Sequence, residues 1–271
     1  MKIGFFDSGI GGLTVLHEAY HFLGDNEYIF YGDTDHVPYG RRSNEEIMSY
    51  ADEITQFLIA KDVNAIVIAC NTASSVAASA LRSKYDLPII AMEPAVKPAL
   101  KTDANKRILV TATPVTIREA KLRNLIKREG GEERIDLLPL PDLVGFAENE
   151  MFESDEARSY LEKMLADYNK DEYSAVVLGC THFNYFAKIF SQIFGKDTLI
   201  IDGKGGTVRR IAELLGIDTC ENEQDMTMND ISQLENIYHT EYYFSGRRVN
   251  DAEELGHIMR LHNQLEITRR R

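Results

Sequence analysis

Short apolar runs, rich in β-branched and aromatic residues, alternate with longer amphipathic stretches along most of the chain. The runs are KIGFF at 2–6, YIFY at 28–31, AIVIAC at 65–70, PIIAM at 88–92, RILVTA at 107–112, IDLLPL at 135–140, AVVLGC at 175–180 and TLIID at 198–202. Continuous apolar runs of this length predict strands covered on both faces, joined by crossover helices. The stretches between them carry the helical period. Ser43 and Glu46 have the spacing of a capping box, after which Ile47, Tyr50, Ala51, Ile54, Phe57 and Leu58 share one face. Ala157, Tyr160, Leu161, Met164, Leu165 and Tyr168 repeat that spacing later. Such alternation predicts an α/β fold with mainly parallel sheets.

Eight strands fit one sheet or two, and two features favour two similar α/β units. AIVIACNTAS at 65–74 and SAVVLGCTHF at 174–183 are near-repeats, and the pattern breaks at MEPAVKP, 92–98, where two prolines intervene. From Thr207 onward the periodicity weakens. The acidic, polar stretch from Glu221 to Asn236 reads as a surface segment before EYYFSG at 241–246.

Composition narrows the function classes. With 271 residues, the chain is long enough for one large or two ordinary cores. Forty-three acidic against thirty basic residues, a formal charge of -13, argue against nucleic acid or an anionic membrane as the main partner. The terminal TRRR is the one dense basic cluster and reads as a solvated tail. No apolar run approaches the roughly 18 residues of a membrane span, and KIGFF is too short for a signal peptide. A cytoplasmic location is expected. Three cysteines, at 70, 180 and 220, are then expected to stay reduced.

Cys70 and Cys180 each close a predicted strand, with a threonine within the next two residues. In open parallel sheets, ligands bind outside the carboxyl ends of the strands, where helix N-termini favour anions. A cysteine there should ionise more readily than a free one; the bland alternative is a small buried hydrophobe. The first strand also ends in a glycine-bearing turn, DSGIGGLTVL, containing Asp7, Ser8, Gly9, Gly11 and Gly12. Thr14 breaks the dinucleotide fingerprint and no Gly-Lys-Ser/Thr follows, so an anionic carboxylate suits the turn as well as a phosphate. Tyr39 and Gly40 in PYG, and Thr111, Thr113 and Thr116 after another strand, offer further donors or plain turns and caps. His182 stands two residues from Cys180, and Glu148 is a candidate carboxylate. Cys220, in a polar run, reads as incidental.

Two matched thiols call for chemistry that needs a pair. C-x-x-C is absent and 110 residues separate Cys70 from Cys180, which argues against a zinc site, so no metal is expected. Val76 and Phe186 stand where a cysteine phosphatase would need arginine. Racemisation fits: one base removes an α-proton from one face of a carbon while an acid protonates the other face. Asp7, Glu148 and His182 would assist the thiols, and hydroxyls and backbone N–H groups would hold the substrate.

DSGIGGLTVL, PYG, CNTAS, MEP, the threonines at 111, 113 and 116, and GCTH resemble, in this order and spacing, the glutamate racemases. The resemblance runs from Lys2 to about Gly206 and continues more weakly through EYYFSG. It implies a cofactor-independent enzyme that interconverts L- and D-glutamate and supplies D-glutamate for peptidoglycan. It further implies a homodimer and two α/β domains with the active site between them: residues 1–95 with 207–271 form the first, 96–206 the second. Carried over, Cys70 and Cys180 are the acid/base pair, Cys70 acting on the D-enantiomer and Cys180 on the L-enantiomer. Asp7, Glu148 and His182 assist, and Asp7, Ser8, Tyr39, Gly40, Asn71, Thr72, Thr113, Thr116, Thr181 and His182 contact the substrate.

The chain departs from that pattern after GCTH, where Phe183 and Asn184 replace the usual Tyr-Pro and bear on local loop shape. It starts directly on the first strand, so activity independent of a peptidoglycan-precursor activator is expected. Two alternatives stay open. One is a racemase of the same superfamily acting on aspartate or another α-acid, although the aspartate branch resembles GCTE where this chain has His182. The other is a non-catalytic amino-acid-binding protein, which would need neither thiol.

Overall fold

The computed structural model describes residues 1–219, 237 and 239–269. Cys220, the stretch 221–236, and Arg270 and Arg271 of the basic tail lie outside the described residues. Among the described residues, ten strands form two sheets: β1 Lys2–Asp7, β2 Glu27–Gly32, β3 Ala65–Ile68, β4 Ile89–Ala91, β5 Arg107–Ala112, β6 Ile135–Pro139, β7 Tyr173–Leu178, β8 Leu199–Asp202, β9 Glu241–Phe244 and β10 Arg247–Arg248. The first sheet has the order β10-β9-β2-β1-β3-β4 and the second β6-β5-β7-β8. Every pairing is parallel except the β9–β10 hairpin. All eight expected strands are present, in two sheets rather than one.

The apolar runs are continuous because both faces of each sheet are covered. In β3, Ala65 and Val67 point into one core, while Ile66 and Ile68 point into another. Cys70 continues the Ile66–Ile68 phase. In β7, Val176 and Leu178 share a core with Cys180, and Ala175 and Val177 face the opposite side. Strand alternation therefore sets the direction of both thiols.

Helix Asn44–Ile59 starts in the expected capping box: Ser43 accepts from the Glu46 N–H, and the Glu46 carboxylate accepts from the Ser43 N–H. Ile47, Ala51, Ile54 and Leu58 are its buried stripe. Helix Asp155–Met164 ends earlier than its apolar period suggests, with Leu165 buried as its C-cap and Tyr168 beyond it. Leu165 still continues the Ala157–Leu161 stripe, its N–H donating to the Leu161 carbonyl at 2.9 Å.

After β8, helix Lys204–Leu215 packs against helix Leu13–Leu23 of the first sheet, and β9 then joins that sheet beside β2. Tyr242 anchors the return. It is 1% exposed, and its hydroxyl lies 2.9 Å from that of Tyr20, which also meets the Thr240 hydroxyl at 2.7 Å. Tyr242→Ala should behave as a core truncation and lower unfolding free energy by about 3–5 kcal/mol in denaturant titration. An unchanged midpoint would mean that the returning segment is an appendage.

Candidate active site

Four parallel strands deliver the site from their carboxyl ends, where such sheets bind ligands. Asp7 is the last residue of β1, Cys70 lies two past β3, Thr113 one past β5 and Cys180 two past β7. The two sheets meet there through side chains. The Thr181 hydroxyl donates to Asp7 Oδ2 at 3.0 Å, and the Ile10 N–H donates to Glu148 Oε1 at 2.9 Å. Thr72 of the first unit joins Thr113 and Thr116 of the second, with hydroxyl separations of 2.9 and 3.4 Å, and Thr113 meets Thr116 at 3.0 Å. All three threonines are buried, so each hydroxyl is satisfied by the others.

Cys70 is the N-cap of helix Asn71–Val76, its sulfur accepting from the Ala73 N–H at 3.4 Å and lying 3.7 Å from the Ser8 hydroxyl. The expectation of easy ionisation does not hold here. Burial, and next the negative charge of Asp7, push the thiol up to about 12; the Ala73 N–H works the other way, and Cys180 adds to the rise. A six-residue helix offers too little field to offset a charge in a dry site. Cys70 therefore rests as a neutral thiol.

Cys180 has different neighbours. It precedes a 3-10 turn, Thr181–Phe186, in place of the expected α-helix, which begins only at Ala187. The three-residue winding aligns Phe183 with Phe186, and both are fully buried. Asn184, in the variant position, folds back to donate to the Thr181 carbonyl at 3.0 Å, a bond proline could not make.

His182 Nδ1 lies 3.9 Å from the Cys180 sulfur, and its Nε2 lies 2.6 Å from Glu148 Oε1. The Gly11 N–H also approaches Nε2, at 3.3 Å. One ring nitrogen cannot serve both as donor and acceptor, and the shorter charge-assisted contact assigns its proton toward Glu148. Burial disfavours the imidazolium, but the contacts to Cys180 and Glu148 outweigh it and hold His182 well above the usual histidine range. Asp7 is also raised: burial dominates, while His182, the Gly9 N–H and the Thr181 hydroxyl partly offset it.

The glycine turn allows this crowding. A methyl group on Gly9 would overlap the Glu148 carboxylate, and one on Gly11 would overlap His182. Ser8, beside Asp7, points its hydroxyl to Asp7 Oδ1 at 3.4 Å. Asn71 is buried, and its Oδ1 has no hydrogen-bond partner among the described residues. An acceptor stranded in this way suits a ligand N–H.

The PYG turn contributes differently from expectation. Gly40 lies against Thr113, but the Tyr39 hydroxyl donates to Asp33 Oδ2 at 2.6 Å. Burial and the Asp33 charge push that phenol far up. Sequence reasoning passed over Asp33, which also meets His36 Nδ1 at 2.8 Å and the Ser245 hydroxyl at 3.1 Å. Its only signal was an acid directly after a strand, one among 43.

Because His182 is raised, its imidazolium should persist through neutral pH and be lost only as pH rises well above 6.5. Nitrogen-15 NMR of the imidazole at pH 7.5 should show both ring nitrogens protonated. Neutral-tautomer shifts at that pH would contradict the assigned contact with Glu148.

Comparison with known proteins agrees with this geometry. Residues 15–210 match the family described as Asp/Glu/Hydantoin racemase. Glutamate racemase from Lachnospira eligens is 43% identical over 271 residues, covering 99% of each chain. Glutamate racemase 2 from Bacillus subtilis is 41% identical, covering 100% of this chain and 98% of that one. The crystal structure of glutamate racemase from Campylobacter jejuni aligns with a TM-score of 0.77 at 30% identity, covering 97% of this chain and 98% of that one. That of the Escherichia coli glutamate racemase, solved with L-glutamate and the activator UDP-MurNAc-ala, aligns with a TM-score of 0.75 at 29% identity, covering 92% and 99%. The chain belongs to the Asp/Glu/Hydantoin racemase family and, within it, to the glutamate racemases.

Proposed function

We propose that this chain interconverts L- and D-glutamate by a cofactor-independent two-base mechanism in which Cys70 and Cys180 exchange roles. The observation that supports it most is the pair of thiols, 5% and 6% exposed, that continue matched strands of the two sheets into one buried cluster. From L-glutamate, the Cys180 thiolate takes the α-proton, and the electron pair of the broken Cα–H bond moves into the substrate carboxylate. The Cys70 thiol then protonates the opposite face and is left as the thiolate. From D-glutamate the roles reverse, and proton exchange with solvent restores the starting state.

The surroundings fit those roles. Cys70, pushed up to about 12, holds the proton it would deliver, and positive charge entering the site would favour its thiolate for the reverse direction. The α-ammonium of glutamate supplies that charge, with Asp7 beside it and Asn71 Oδ1 as an acceptor. His182, held as the imidazolium, places its charge 3.9 Å from the Cys180 sulfur. Ser8, Gly40, Thr72, Thr113, Thr116 and Thr181 line the place of the carboxylates, which would take over hydroxyl protons now shared among these residues and Asp7, with Tyr39 acting through Asp33.

The family resemblance supports the wider reading: D-glutamate destined for peptidoglycan, a homodimer, a cytoplasmic location, and domains comprising 1–95 with 207–271 and 96–206. Among the described residues, no helix is long and apolar enough to cross a membrane.

Cys70→Ser and Cys180→Ser should each lower racemisation by about 10²–10⁴-fold, followed by circular dichroism of glutamate. Retention of near wild-type turnover by either folded variant would remove the two-base scheme.

A further inference from the structure

A second cluster of chemistry-bearing side chains joins helix Leu13–Leu23 to the C-terminal helix Ala252–Arg269. His17 and His21, four residues apart, share one helical face and are buried. Opposite them, Glu266 Oε2 lies 3.1 Å from His17 Nε2 and 3.0 Å from His21 Nε2. We propose that His17, His21 and Glu266 form a binding site for a divalent cation of the zinc class, which clasps the C-terminal helix to the first helix.

Three observations carry the assignment. First, two imidazoles and one carboxylate, with one atom from each within 4.8 Å of the others, are a donor set suited to zinc and its first-row neighbours. Second, both imidazole nitrogens lie close to the same carboxylate oxygen, so the three donor atoms are gathered at one place. Tetrahedral bonds of about 2.0–2.1 Å place neighbouring donors roughly 3.3 Å apart, and the two separations to Glu266 fall just inside that figure.

Third, an outer partner stands in place. A cation on His17 Nε2 leaves the ring proton on Nδ1, and His262 Nδ1 lies 3.0 Å from that atom. Ligating histidines are commonly oriented by such a second bond. His262 is 1% exposed and packs on the Tyr20 ring, and its Nε2 has no hydrogen-bond partner among the described residues, so its ring is hydrogen-bonded there through the His17 contact. The Glu266 side chain is 23% exposed, so the cluster is reached from solvent.

The cysteine spacing considered in the sequence bears only on thiolate sites and is silent about this one. Its consequence is structural. Helix Leu13–Leu23 starts directly after the glycine turn that holds Asp7, so the clasp steadies, from outside, the helix that follows that turn.

The test uses the full chain with Cys70, Cys180 and Cys220 replaced by serine, stripped with chelator, so that thiols cannot hold the metal. Adding Zn²⁺ should raise the thermal midpoint saturably with one ion per chain, and Co²⁺ should give the visible spectrum of a four-coordinate site. His21→Ala and Glu266→Gln, introduced separately, should abolish both signals. If His21→Ala fails to fold, the near-isosteric Glu266→Gln decides alone. No midpoint shift in the parent, or a shift and spectrum that survive in Glu266→Gln, would overturn the assignment and leave the cluster as a carboxylate bridging two histidines.

Discussion

The site depends on how closely two turns from different sheets approach each other. The turn after β1 and the turn after β7 bring Asp7, Thr181 and His182 together against Glu148 at the end of helix Leu143–Glu148, and side chains at Gly9 and Gly11 would fill the space between them. Water is thereby excluded and charges act at short range in a low effective dielectric. That single constraint explains why burial, with Asp7 next, holds Cys70 neutral and why His182 keeps its proton against burial.

The two halves supply equivalent positions and unequal surroundings. Each thiol sits two residues past a buried parallel strand, yet Cys70 faces Ser8, the Ala73 N–H and Asp7, while Cys180 faces His182 backed by Glu148. Pseudo-symmetric placement suits a reaction whose forward and reverse directions attack opposite faces of one carbon. The unequal neighbours suit enantiomers that present different groups to each side. Neither feature alone would distinguish a racemase from a hydrolase with one cysteine and a histidine.

Much of this was readable from residues. Buried parallel strands announce themselves as unbroken apolar runs, so β1 to β8 were found, and the Ser43–Glu46 box marked a helix start to the residue. The threonine cluster was visible as hydroxyls at strand ends, but its closure across the two units was not, because contacts between distant segments leave no local period. The same limit hid Asp33 and the return of β9 beside β2. The raised Cys70 thiol was missed for a different reason: helix position is readable from sequence, whereas burial beside Asp7 arises only after folding. At Cys180, an α-helical start was inferred where aligned Phe183 and Phe186 instead impose a 3-10 turn.

The most direct test of the central claim, that two opposed thiols share the proton transfer, is early-time proton NMR of L-glutamate incubated with the enzyme in D2O. Two bases predict deuterium at the α-carbon of the newly formed D-glutamate while unreacted L-glutamate keeps its protium. D-glutamate that retained the original proton, or equal early labelling of both enantiomers, would point to a single base serving both faces and contradict the account.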